Sequence, residues 1–93
     1  MSELAFKRRL RARKRKITTT LEAQGYKVRT FEDGPFHLMA CRGGSARAIS
    51  IYFGCPPTAE VARVSREPVP IRCTREVWQI SSNGRVTVFA RIS

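Results

Sequence analysis

Lys7, Arg8, Arg9, Arg11, Arg13, Lys14, Arg15 and Lys16 all fall between positions 7 and 16. So dense a run of cations suits the neutralisation of phosphates. The chain of 93 residues carries a formal net charge of +11, which implies a polyanionic partner, most often nucleic acid. The competing reading of the run is a solvated basic arm with no specific role. An anionic membrane surface fits less well, because the segment lacks the aromatic anchors of an interfacial helix. Further along, His37, Ser50 and Tyr52 can donate and accept hydrogen bonds, and His37 could also move a proton. A lone histidine is more often a hydrogen-bonded core residue than a general base. Tyr52 is more simply a packing residue with a satisfied hydroxyl. Cys41, Cys55 and Cys73 form no CxxC pair, and His37 is the only histidine. A zinc site is therefore not expected, and the thiols read as buried and free in a reducing cytoplasm. No metal and no cofactor are expected.

These residues sit on a readable order of elements. Residues 4–24 predict a first helix, with Leu10, Ile17 and Leu21 at helical spacing and Gly25 as its stop. Lys14 lies four residues after Leu10 and three before Ile17, which places it on the apolar face. A long side chain can snorkel from there to water. Residues 26–31 read as a strand, and Glu32-Asp33-Gly34 as a turn. Residues 35–42 and 46–53 read as two strands joined at Gly43-Gly44. The first is almost wholly apolar, as expected of a strand buried on both faces. The second alternates, with Ile49, Ile51 and Phe53 on one face and Ala48, Ser50 and Tyr52 on the other. Thr58 can cap a second helix over 58–66, with Glu60 in its first turn complementing the dipole. Residues 75–80 and 85–92 form a final hairpin about Asn83-Gly84. Within it Trp78 reads as core or dimer face, and Glu76 as one member of a weak surface ion pair. The expectation is one domain over 1–93, of α/β class. No run is apolar enough for a transmembrane helix, and no signal peptide is read at the N-terminus.

The stretch GPFHLMACRGGSARAISIYF, residues 34–53, resembles the core hairpin of the PD-(D/E)XK nuclease superfamily, in its small Holliday-junction-resolvase-like branch. LEAQGYKV resembles that family's Leu-Glu-x-x-Gly-Tyr-x-Val, and REVW at 75–78 resembles its Arg-Glu-x-Trp segment. The resemblance implies a restriction-endonuclease-like core: helix, three strands, helix, two strands, with a central mixed sheet flanked by helices. It also implies four functional positions, occupied here by Lys14, His37, Ser50 and Tyr52. His37 stands at the aspartate place, Ser50 and Tyr52 at the Glu/Gln-x-Lys places, and Lys14 at the place of a helix glutamate. The scaffold resembles a nuclease, while the carboxylates that would hold magnesium are replaced.

The resulting expectation is a catalytically inactive nuclease-fold protein. It binds nucleic acid, DNA in preference, through the basic helix and its cations from Lys7 to Lys16. Lys14 could also contact a phosphate directly. A homodimer would help so small a chain bury enough surface. Two alternatives compete: an active metal-dependent nuclease with acids relocated to Glu32 and Asp33, and a regulatory protein-interaction module. The missing carboxylates weigh against the first and the charge against the second. The expected location is cytoplasmic, with no membrane partner.

Overall fold

The computed structural model describes residues 3–92, so residues 1, 2 and 93 of the expected domain lie outside it. The chain runs α1 (Glu3–Ala23), β1 (Lys27–Thr30), β2 (Leu38–Arg42), β3 (Ser45–Phe53), α2 (Thr58–Arg66), β4 (Cys73–Ile80) and β5 (Val86–Ile92). The strands form one five-stranded sheet in the order β1-β2-β3-β4-β5. Neighbours are antiparallel except β3 and β4, which run parallel and are joined through α2. A parallel pair needs such a crossover, whereas antiparallel pairs close through short turns. The turn between β2 and β3 is Gly43-Gly44, with φ of 58° and 83°. Two successive positive φ values are what a tight hairpin turn requires, and glycine supplies them without steric cost.

Alternation along β3 divides the molecule. Ile49 and Ile51 join Leu38, Ala40, Trp78 and Ile80 in one core, against Ile17 and Leu21 of α1. Leu10, Tyr26, Val28 and Phe53 pack at its margin. α1 is thus held by the apolar stripe its sequence carries, and helices of this kind owe most of their stability to such packing. The opposite face meets α2. There the Tyr52 hydroxyl reaches Glu60, and the Arg75 guanidinium donates to the Glu67 carbonyl at 2.7 Å. α1 lies nearest β1 and β2, so the β4–β5 end of its face stays open. Val86 and Val88 of β5 are correspondingly exposed, at 37% and 50%.

Four expectations need correction. β2 is not buried on both faces: Leu38 and Ala40 are buried, Met39 is half-buried and Cys41 is exposed. The reason is that β2 packs under α1, while α2 lies against β4. Thr58 does not cap α2. The N-cap is Pro57, without a side-chain bond, and its carbonyl accepts the N–H groups of Glu60 and Val61. Of the thiols only Cys73 is buried; Cys41 and Cys55 are exposed. Glu76 is not a surface residue, since it is fully buried on the α1 face. Its burial follows from register, which sets Glu76 opposite Ile49 in the centre of the sheet.

Candidate functional site

β3 and the segment that leads into β2 bring the first cluster together. The His37 N–H donates to the Ile49 carbonyl at 2.8 Å, and Nδ1 of its ring accepts the Ile51 N–H at 2.7 Å. That second bond assigns the neutral tautomer, with the proton on Nε2. Burial, then the positive charges of Lys14 and Arg63, lower the His37 pKa from 6.5 to about 4. With Nδ1 occupied and Nε2 protonated, the ring presents a donor and has no lone pair free to act as a base. His37 is thus the hydrogen-bonded histidine that its solitude implied. Its ring lies edge-on to Tyr52, centroids 6.3 Å apart.

Ser50 and Tyr52 share a strand face but not a role. Ser50 is fully buried, and its hydroxyl donates to the Pro35 carbonyl, pinning the Gly-Pro-Phe turn against β3. Nothing of it is left for a ligand. The Tyr52 hydroxyl donates to Glu60 Oε2 at 3.2 Å, and Arg63 Nη2 donates to the same oxygen at 2.5 Å. Burial and then the Glu60 carboxylate raise the Tyr52 pKa, so the phenol stays protonated. Glu60 is the acid that sequence reasoning missed at this place. Its sequence position speaks only for a helix-dipole role, yet the first turn of α2 also points it at β3.

Lys14 faces inward as its spacing implies, with 7% of its surface exposed. It does not snorkel. Its amine donates to the Phe31 carbonyl at 2.8 Å, tying α1 to the end of β1. That bond and its burial withdraw Lys14 from the phosphate contact considered for it. Lys14 does act on His37 through its charge, and His37 touches Tyr52. The four positions therefore lie around one end of β3, except that Ser50 is turned to structural use. Glu32 and Asp33 remain exposed in the bend before them. Among the described residues, no three His, Cys, Asp or Glu side chains lie together as a metal would need.

The other cations of the basic run stay on α1's outer surface. Arg8, Arg11 and Arg15 are exposed and follow one another by three and four residues, so they line one side of the helix. Arg9, Arg13 and Lys16 follow by four and three along another side. The Arg9 guanidinium lies 4.5 Å from the centre of the Phe53 ring, which also meets Phe6 edge-on at 5.8 Å. Lys7 is exposed as well. α1 thus presents cations around most of the surface that its core stripe leaves free.

A second charged cluster lies beneath α1, and sequence reasoning did not find it. Arg47 donates two parallel bonds to Glu76, at 2.7 and 2.8 Å. Thr74 Oγ1 donates to the same carboxylate at 2.9 Å and Trp78 Nε1 at 3.0 Å. Burial would raise the Glu76 pKa, but these hydrogen bonds, chiefly from Arg47, outweigh it and hold the group below the ordinary carboxylate value. Arg47 is raised in turn, mostly by its bond to Glu76. Its guanidinium also lies 5.4 Å from the Trp78 ring centre. The signal in the sequence was the period-two placement of Thr74, Glu76 and Trp78, opposite Arg47, Ile49 and Ile51. No known family matches the chain, and no curated protein or solved structure matches it either.

Proposed function

We propose that this chain binds nucleic acid, DNA in preference, through the outer surface of α1. We further infer that it does so on a nuclease-type scaffold without hydrolysing its ligand. The observation that carries the reading is the division of α1. Leu10, Lys14, Ile17 and Leu21 face the sheet, while Arg8, Arg11, Arg15 and Lys16 stay exposed. The cations are thus displayed on a docked helix and not on a loose arm. Phosphate contacts of this kind supply affinity and little sequence discrimination.

Support for the scaffold comes from the element order, from the parallel β3–β4 pair with its α2 crossover, and from the residues quoted for the resemblance. Support for inactivity comes from the donor set. Among the described residues, the carboxylate beside Tyr52 is that of Glu60, and it is already held by Tyr52 and Arg63.

Gel-shift titration of DNA and RNA across a salt series tests the binding. Charge reversal of Arg8, Arg11 and Arg15 is expected to weaken binding and to flatten its salt slope by about 2–3 units of log K per log salt. An unchanged affinity and slope in that triple variant would place the binding surface elsewhere or remove nucleic acid as the ligand.

A further inference from the structure

The open end of the α1 face is a cleft of about 480 Å3, within the range of about 300–1,000 Å3 common for small-ligand sites. Its walls are α1 and β5. Arg13 and Lys16 stand on the helix side, Arg47 at the sheet, and Val86, Val88 and Trp78 form an apolar floor. Gly84, in the turn before β5, also lines the cleft, and its positive φ favours glycine. Its φ is 84°, and the Arg13 guanidinium lies close against it. None of the described residues lining the cleft carries a carboxylate. The nearest buried one, Glu76, is already neutralised by Arg47.

An apolar floor under a cationic rim fits a ligand that is flat and apolar in one part and anionic in another. Arg13 and Lys16 also border the groove that runs past Arg15 along the outside of α1. The cleft therefore opens from the same basic surface that the proposed function uses. We propose that it accepts one unpaired nucleotide of a bound strand, its base on Val86 and Val88 and its phosphate against Arg13 and Lys16. This rests on the nucleic-acid reading above and adds to it a preference for single-stranded over blunt duplex ligand. A paired base keeps its faces inside the stack and cannot enter a cleft between a helix and a strand; an unpaired base can. The base is held by apolar contact and not by stacking on Trp78, which exposes only 8% of its surface. A second copy of the chain fits less well, because it would bring a net charge of +11 to a cationic rim.

Trp78 is the sole tryptophan and lies in the cleft floor, so its fluorescence reports occupancy directly. The experiment titrates wild-type protein with a short oligothymidylate and with a blunt duplex of equal length, following Trp78 emission and anisotropy of the labelled ligand. The oligothymidylate is expected to bind tighter and to change the emission; the duplex is expected to leave it unchanged. Val88→Asp replaces the apolar seat of the base with a charged carboxylate, and Thr20→Phe fills the cleft from the helix side. Each is expected to weaken oligothymidylate binding about tenfold and to leave duplex binding as it was. Both positions are on the exposed side of their elements, and circular dichroism checks that each variant folds. Equal losses on both ligands would overturn the proposal. So would an oligothymidylate affinity that neither variant changes, or a self-association in sedimentation that Val88→Asp abolishes. If wild type binds duplex but shows no preference for single strand and no emission change, this inference alone fails. If it binds neither ligand, the proposed function fails with it.

Discussion

His37 links local hydrogen bonding to stability. Its folded pKa of about 4 lies below the ordinary 6.5, so the unfolded chain takes up a proton first as pH falls. Above 6.5 the ring is neutral in both states and contributes nothing to the pH dependence. Between 6.5 and 4 the folded state loses stability, and below 4 the loss levels off. Urea melts over that window are expected to show the decline in wild type and its removal in His37→Gln. Lys14→Met removes one of the charges that depress His37, so the histidine pKa, read by NMR, is expected to rise. Glu76 has linkage of the same sign, over a lower pH window. Its depressed pKa gives stability that is lost only as pH falls below the ordinary carboxylate range. Glu76→Gln leaves the Arg47 guanidinium, 20% exposed, without its counter-charge. The expected cost is about 3 kcal/mol in denaturant melts, and Arg47→Met added to it is expected to restore part of the loss.

At the scale of elements, α1 divides its residues between a core side and an exposed, cationic side. Its inner stripe holds the core, so Ile17→Ala is expected to cost about 2–4 kcal/mol in thermal or urea unfolding. The outer cations are expected to be nearly neutral for stability, because exposed charges contribute little. The charge reversal of Arg8, Arg11 and Arg15 should therefore change binding and its salt slope while the unfolding midpoint stays close to that of wild type. A parallel fall in midpoint and affinity would mean that the triple variant weakens α1 itself. β3 carries the complementary division. Ile49 and Ile51 face α1, and Ser50 and Tyr52 face the turn and α2. One strand thereby fixes both the core and the cluster around His37.

For the whole molecule, the expectation is that purified protein leaves labelled DNA and RNA uncut with magnesium or manganese. Cleavage that Glu32→Gln with Asp33→Asn, or Glu60→Gln, abolishes would establish relocated acids in place of the inactive reading. Rebuilding a family-like carboxylate set is a poor substitute for that test. Ser50 is fully buried, so Ser50→Glu would force a charge into the sheet at a cost of several kcal/mol. Among the described residues, no helix is long and apolar enough to cross a membrane.

The sequence by itself determined the order of elements, the glycine turn between β2 and β3, and the inward face of Lys14. Each of these follows from local chemistry: period, φ preference and spacing along one helix. Strand ends moved by up to three residues, as at β2, which begins at Leu38 and not at 35. There the Gly-Pro-Phe segment is spent on a turn that Ser50 pins. Only the tertiary structure decided what the charged residues do. Arg47 and Glu76 are 29 residues apart in sequence, and each alone reads as a surface charge. Register across the parallel β3–β4 pair buries them together. The same holds for Glu60, which α2 carries to Tyr52, and for the cleft, which exists because α1 covers β1 and β2 and stops short of β5. Pairing between distant segments sets these features, and local propensity holds no record of it.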